Sequence, residues 1–263
     1  FTAVGAAGMF TWLANGLVTL AKMGGQVKVA HSLGEGSSKD AVEYGRGAIQ
    51  LAVLLALGFS AVTFFGAGRL IGFFGLESPG TIRDARHYLQ ITGGLILFSF
   101  LNQTMTGLYT AIGDSRTPFL ANSTGLVANM VLDPVLIFGL GPFPRLETVG
   151  AAVATVTAQA VVTLILVLRA LQDSVLFDKI RIWHGTGWRY FRVITALGLP
   201  SALQSMLYCS MSMILTKMVA SWGDAAIAVQ RVGGQVESIS WFMAEGFGAA
   251  MNAFTGQNFG ARL

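Results

Sequence analysis

The sequence predicts an all-α, polytopic membrane protein, a bundle of helices that crosses a lipid bilayer seven times. Hydrophobic residues make up 53% of the 263 residues. Charged residues make up only 11%, whereas soluble domains carry roughly 25%. The mean hydropathy is +0.62. A soluble protein of this size needs a charged surface that this chain lacks, so the lipid bilayer is its expected environment.

Seven apolar runs are each long enough to cross a bilayer as a helix, which takes about 20 residues. They cover residues 1–33, 47–68, 88–113, 117–141, 149–168, 193–221 and 225–259. When the end of the first run is placed inside, ten lysines and arginines lie on the inner side and four on the outer side. This positive-inside bias explains the basic composition, so we expect no nucleic acid partner.

The first connections contain helix-ending and helix-starting residues. Residues 33–40, LGEGSSKD, end one helix with glycines and start the next with Ser37 or Ser38 as N-cap. Residues 113–118, GDSRTP, end a helix at Gly113 and predict a new one with Thr117 as N-cap and Pro118 at the first helical position.

The fourth run contains a carboxylate and a proline within residues 129–139, NMVLDPVLIFG. An ionisable residue at the centre of a span costs about 2.5–3.5 kcal/mol on insertion scales, so it usually faces a cavity or a partner. At helical spacing Asn122, Asn129 and Asp133 form one polar stripe. The alternative is that Asp133 caps a helix that restarts after Pro134. In the fifth run Thr155 and Gln159 form a similar stripe, one turn apart.

Residues 171–190 form the one long polar linker, which divides the chain into residues 1–170 with five spans and residues 191–263 with two. We expect this linker to lie along the inner membrane interface, with Trp183 and Trp188 at headgroup level.

The seventh run carries polar residues on one face and apolar residues on the other. The polar face includes Gln230, Glu237, Trp241, Glu245 and Asn252. Two carboxylates on one side of a spanning helix predict a water-lined cavity, and the alternative is a helix–helix seam with salt-bridged acids. The hydroxyl residues of the sixth run have the spacing of close helix packing, and Gln204 and Tyr208 on this run are assigned to the cavity.

Four blocks, in this order, resemble the multidrug and toxic compound extrusion (MATE) transporters. They are GDSRTPFLANSTGLVANMVLDPVLIFG (113–139), VGAAVATV (149–156), ALGLPSALQ (196–204) and EGFGAAMNAFTGQNFGA (245–261). The resemblance implies a twelve-helix fold with two six-helix lobes. The chain would run from the family's second helix to its eighth, with residues 1–170 forming most of the first lobe and 191–263 starting the second.

The resemblance also implies a function and a site. The function is antiport that couples entry of H⁺ or Na⁺ to efflux of organic cations or drugs at the plasma membrane, with no enzymatic activity and no cofactor beyond Na⁺. Asn129, Asp133 and Thr155 match the family's ion site. The expected solute cavity comprises Gln159, Gln204, Tyr208, Gln230, Glu237, Trp241, Glu245 and Asn252. Tyr208 stands where some members carry a coupling glutamate, which puts coupling at that position in doubt.

Three alternatives stay open. A related flippase for lipid-linked sugars would have a more basic cavity and no dependence on Asp133. A seven-helix receptor or light-driven pump fits the span count, but Lys217 is not in the last span, where a retinal lysine is needed. A membrane scaffold would leave the polar faces unexplained. The three histidines are far apart in the sequence, so no metal site is expected, and no phosphate-binding loop is present.

Overall fold

The described part of the chain is almost entirely helical. A computed structural model describes residues 2–72, 79–139, 145–220, 222 and 224–262. These residues form eight α-helices, a short 3-10 helix at Phe177–Lys179 and no strand. The α-helices are α1 (Thr2–Gly34), α2 (Ser38–Gly72), α3 (Pro79–Gly94), α4 (Leu97–Ala111), α5 (Arg116–Phe138), α6 (Glu147–Ala170), α7 (Trp188–Ala220) and α8 (Asp224–Gly260). The predicted all-α class is confirmed.

The eight helices correspond to the seven apolar runs because the third run is broken. Its two parts, α3 and α4, meet at a turn around Leu95 and Ile96. The break follows two glycines, which are weak helix formers. A Cβ on Gly93 would lie 2.8 Å from the Cβ of Thr63 in α2, and Ser60 donates a hydrogen bond to the Gly94 carbonyl at 2.6 Å. Close contact with α2 therefore fixes the bend.

Four of the described helices, α2, α5, α6 and the described part of α7, are long and apolar enough to cross a membrane. The other two long helices, α1 and α8, have 33 and 37 residues. At about 1.5 Å per residue either is longer than the hydrocarbon core of a bilayer, which is about 30 Å thick.

Helix α1 packs against α2, α4, α7 and α8. Small residues let it approach its neighbours closely. A Cβ on Gly24 would lie 2.2 Å from the Ile194 carbonyl oxygen, and a Cβ on Gly198 would lie 2.0 Å from the Leu20 carbonyl oxygen. Glycines at both positions bring the backbones of α1 and α7 into contact, as in other membrane helix pairs.

Two of the predicted helix ends are found in the structure, and each is marked by a glycine. Gly36 and Gly113 have φ of +75° and +88°, the left-handed conformation that glycine adopts without strain. The predicted cap at Thr117 is wrong, because α5 begins at Arg116. The Asp114 carboxylate instead accepts hydrogen bonds from the backbone N–H groups of Arg116 at 3.1 Å and Thr117 at 3.0 Å.

The linker is attached to the end of α2 that is predicted to face inside. The buried Arg46 donates a hydrogen bond to the Thr186 hydroxyl at 3.1 Å, and Gln50 donates to two linker carbonyls at 2.8 Å each. Residues 188–190, predicted as linker, form the first turn of α7. Trp183 is 98% exposed and Trp188 is 80% exposed. Their position at headgroup level stays a prediction.

Candidate functional site

The polar stripe on α5 ends in a carboxylate held by an amide. Asn129 donates a hydrogen bond from Nδ2 to Oδ1 of Asp133 at 3.4 Å, one helical turn away. Both side chains are half-buried. Asn122, two turns before Asn129, is exposed and donates to the Pro118 carbonyl of its own helix. Of the three residues in the stripe, Asn129 and Asp133 are thus directly paired.

The alternative in which Asp133 starts a new helix is wrong. Helix α5 continues through Pro134 to Phe138, so Asp133 lies inside the helix. Because Pro134 has no N–H, it cannot donate to the carbonyl of Met130. This leaves a main-chain oxygen without its usual helical partner within one turn of Asp133.

Helix α6 places its own polar stripe opposite α5. A cavity of about 180 Å³ between them is lined by Asn122 and Asn129 of α5 and by Thr155 and Gln159 of α6. Asp133 lies one turn beyond this cavity. Thr155 donates its hydroxyl proton to the Ala151 carbonyl, so its oxygen still has acceptor capacity.

A second cavity opens on the other side of Thr155 and Gln159. It has a volume of about 280 Å³, and α1, α3 and α4 contribute to its walls. Tyr88 of α3 lines it, lies next to Thr155 and is within electrostatic range of Asp133. Tyr88 was not predicted as part of the site, because it lies at the margin of an apolar run and nothing in the spacing links it to α5 or α6.

Gln159 is held by a buried hydrogen-bond network with α4. Asn102 donates to Oε1 of Gln159 at 2.6 Å and to its carbonyl at 2.9 Å. Thr163 in turn donates to Oδ1 of Asn102 at 2.7 Å. Asn102 and Thr163 were not predicted as part of the site. They fix the orientation of Gln159, which lines both cavities.

The predicted residues of α7 and α8 form a separate group. The Trp241 indole donates to Oε1 of Glu237 at 3.0 Å, and its ring centroid lies 5.6 Å from that of Tyr208 in α7. All three side chains are exposed. An indole, a phenol and a carboxylate together form a surface that favours an organic cation. Gln204 is exposed on α7, while Gln230 and Asn252 are half-buried on α8 and stand apart from this group.

Glu245 is engaged by another helix. Its Oε1 lies 3.7 Å from Nζ of Lys22 in α1. From the sequence, the acids of α8 could line a cavity or form salt bridges in a helix–helix seam. The structure gives Glu245 an interhelical ion pair and Glu237 a neutral hydrogen-bond partner.

A third cavity, of about 730 Å³, lies between α4, α5 and α8. Its wall contains Thr106, Thr110, Asn122, Ser123 and Gln257 beside apolar groups. None of the eight residues assigned to the solute cavity lines it. The small residues of α8, such as Gly246 and Ala250, make room for it.

Comparison with known proteins places these features in context. The family model described as MatE matches residues 1–135 and 200–263. A probable multidrug resistance protein NorM of Thermotoga maritima is 27% identical over 260 residues, which cover 97% of this chain and 54% of that protein. An FAD transporter of Shewanella oneidensis is 26% identical over 236 residues, 87% of this chain and 50% of that protein.

A solved structure shares the same fold. It is a MOP superfamily transporter from Pyrococcus furiosus, with a TM-score of 0.87 and 23% sequence identity, and the match covers 99% of this chain and 57% of that one. The chain spans about half the length of the curated relatives that it matches.

Proposed function

The chain belongs to the MatE family of multidrug efflux transporters, and on this premise we propose that the protein couples entry of H⁺ or Na⁺ to efflux of an organic cation. Its membership of this family and its membrane-spanning helices together show that it is a multi-pass protein of the plasma membrane. The family is also incompatible with a receptor or a light-driven pump. The coupling ion, the solute and their binding residues belong to the proposal.

The observation that carries the proposal is the Asn129–Asp133 pair, within a turn of the α5–α6 cavity. Carboxylate, amide and hydroxyl oxygens are hard ligands that suit a proton or Na⁺. Asp133 provides the charge, Asn129 holds the carboxylate by its amide and has its own oxygen available, and Thr155 provides a hydroxyl oxygen. The Met130 carbonyl, left free by Pro134, is a fourth oxygen on the same turn.

Coupling follows from the cost of an uncompensated charge in a membrane. When Asp133 is ionised, a conformation that buries it is disfavoured, and H⁺ or Na⁺ removes this penalty. The bound ion therefore shifts the population toward the conformation with the more occluded site. Tyr88 lies next to Thr155 and within electrostatic range of Asp133, so the charge of Asp133 acts on it.

The solute is assigned to the side of the molecule formed by α7 and α8. Glu237, Trp241 and Tyr208 offer one carboxylate and two aromatic rings within mutual contact. A cation held by a ring face and a carboxylate gains electrostatic energy that a neutral solute does not. The cavity of about 730 Å³ between α4, α5 and α8, which these three residues do not line, has the size of common small-molecule sites.

The test uses the complete natural protein in inverted membrane vesicles, whose lumen corresponds to the outside of the cell. Vesicles loaded with acid or Na⁺ should take up tetraphenylphosphonium, and Asp133→Asn should abolish the ion-driven uptake. Asp178→Asn is the matched control, because Asp178 is an exposed carboxylate in the linker. Unchanged ion-driven uptake by Asp133→Asn would remove Asp133 from coupling.

A second candidate function is suggested by the relative that transports FAD, an anionic solute. A transporter of FAD or of lipid-linked sugars would leave tetraphenylphosphonium outside the vesicles. It would take up the anionic solute and would not depend on Glu237 or Asp133. Parallel uptake measurements with FAD therefore separate this candidate from the first.

A further inference from the structure

We propose that Lys22 is a tethered competitor of the transported cation, occupying Glu245 until a solute cation displaces it. This inference rests on the proposed function, the efflux of an organic cation, and adds Glu245 to the residues that the cation contacts. Under this inference, Lys22 tunes the affinity of the protein for monovalent organic cations. A lysine is not needed for the stability of an apolar membrane helix.

Lys22 lies inside α1, within the first predicted span (residues 1–33). It precedes the end of α1 at Gly34 by twelve residues, which is about 18 Å along a helix with a rise of about 1.5 Å per residue. A charged residue within a span usually pairs with a partner inside the protein, and Lys22 pairs with Glu245.

A glycine of α4 makes room for the Lys22 side chain. A Cβ on Gly107 would lie 3.0 Å from Cγ of Lys22 and 3.3 Å from its carbonyl oxygen. Glycine at this position therefore leaves room for the aliphatic stem between α1 and α4. The stem is directed toward α8, where Nζ lies 3.7 Å from Oε1 of Glu245.

A second contact holds the two helices in register. Gln26, one turn after Lys22, donates a hydrogen bond to the carbonyl of Ala249, one turn after Glu245, at 3.3 Å. Gln26 is buried and its bond goes to the main chain, so it keeps α1 and α8 together whether or not the ion pair is formed. The ion pair can open without separating the helices.

The exposure of the pair makes exchange feasible. The Lys22 side chain is 24% exposed, whereas that of Glu245 is 67% exposed. Ion pairs with such exposure contribute little to stability, so a second cation can take the place of Lys22. Glu245 also lies about two helical turns after Glu237 on α8 and is next in sequence to Gly246, which lines the cavity of about 730 Å³. A solute cation in this region meets Glu245 and must compete with Lys22.

The test measures binding of tetraphenylphosphonium to the complete natural protein in lipid nanodiscs. Lys22→Gln should bind it about two- to fivefold more tightly, because the cation no longer has to break an exposed ion pair. Lys22→Met, which keeps the stem beside Gly107, should behave in the same way. Lys28→Gln is the matched control, because Lys28 is on the same helix and lies over the Tyr44 ring, with its Nζ 5.7 Å from the ring centroid. It should leave the affinity unchanged.

The decisive comparison uses variants that lack the Glu245 carboxylate. In Glu245→Gln, binding should weaken, and adding Lys22→Gln should bring no gain. The inference is overturned if Lys22→Gln equals Lys28→Gln, or if its gain persists with Glu245→Gln, since general electrostatics would then explain it. If the wild type transports the cation and Lys22→Gln matches Lys28→Gln, this inference alone fails. If the wild type neither binds nor transports it, the proposed function fails as well.

Discussion

Replacing Gly198 by alanine tests whether the close contact between α1 and α7 holds the chain together. The new Cβ would lie 2.0 Å from the carbonyl oxygen of Leu20. Restoring a normal contact of roughly 3.3 Å requires the helices to separate by about 1 Å. Main-chain atoms cannot rotate away as a side chain does, so the separation must extend to neighbouring contacts.

The expected cost follows from two opposing terms. Overpacking of a well-packed core costs about 1–3 kcal/mol, and a clash with main chain belongs at the upper end. Alanine gains about 1 kcal/mol over glycine as a helix former. The net loss is about 2 kcal/mol, which lowers the melting temperature by about 4–8 °C for a protein of this size.

The assay is thermal unfolding of the purified protein in detergent, followed by tryptophan fluorescence. Gly58→Ala is the control, because a Cβ at this position of α2 meets nothing within 4 Å. It should leave the melting temperature unchanged or raise it through helix propensity alone. A Gly198→Ala protein as stable as wild type would refute the packing argument.

The remaining predictions concern the buried network and the start of α5. Thr163→Val removes the hydroxyl donor to Asn102 Oδ1, and leaving this buried acceptor unpaired should cost about 1–3 kcal/mol; an unchanged melting temperature would show that Asn102 finds another donor. Asp114→Ala removes the acceptor at the start of α5 and should cost about 1 kcal/mol near neutral pH. Although burial opposes it, hydrogen bonds from Thr117 and Arg116 lower the pKa of Asp114. Its stabilisation is therefore present above the ordinary carboxyl pKa of 3.8 and lost as the pH falls below it. Melting curves of wild type and Asp114→Ala should converge in acid, and a constant difference would contradict this.

The helices were predictable from the sequence because lipid demands long apolar segments and because glycines end them. Gly36 and Gly113 were correctly placed at helix ends, and both adopt positive φ. The break between α3 and α4 was missed, because hydropathy does not register a bend made by contact with Ser60 and Thr63 of another helix.

The sequence predicted those groups of site residues that lie on one helix. Spacing alone grouped Asn129 with Asp133, and Thr155 with Gln159, and the structure places these pairs on facing helices. Partners from distant parts of the chain were not predictable, because helical periodicity says nothing about which helices meet. The ion pair from Lys22 to Glu245 is one such contact.

The central claim is that Asp133 is the carboxylate that takes up the coupling cation. Carbodiimide labelling of the complete protein in membranes, followed by mass spectrometry, measures this directly, since the reagent modifies protonated carboxyls in apolar surroundings. We predict that Asp133 is modified at low pH and that raising the pH or adding Na⁺ protects it, while Asp178 shows no such protection. An Asp133 that is never modified, or that is modified equally at every pH and Na⁺ concentration, would contradict the account.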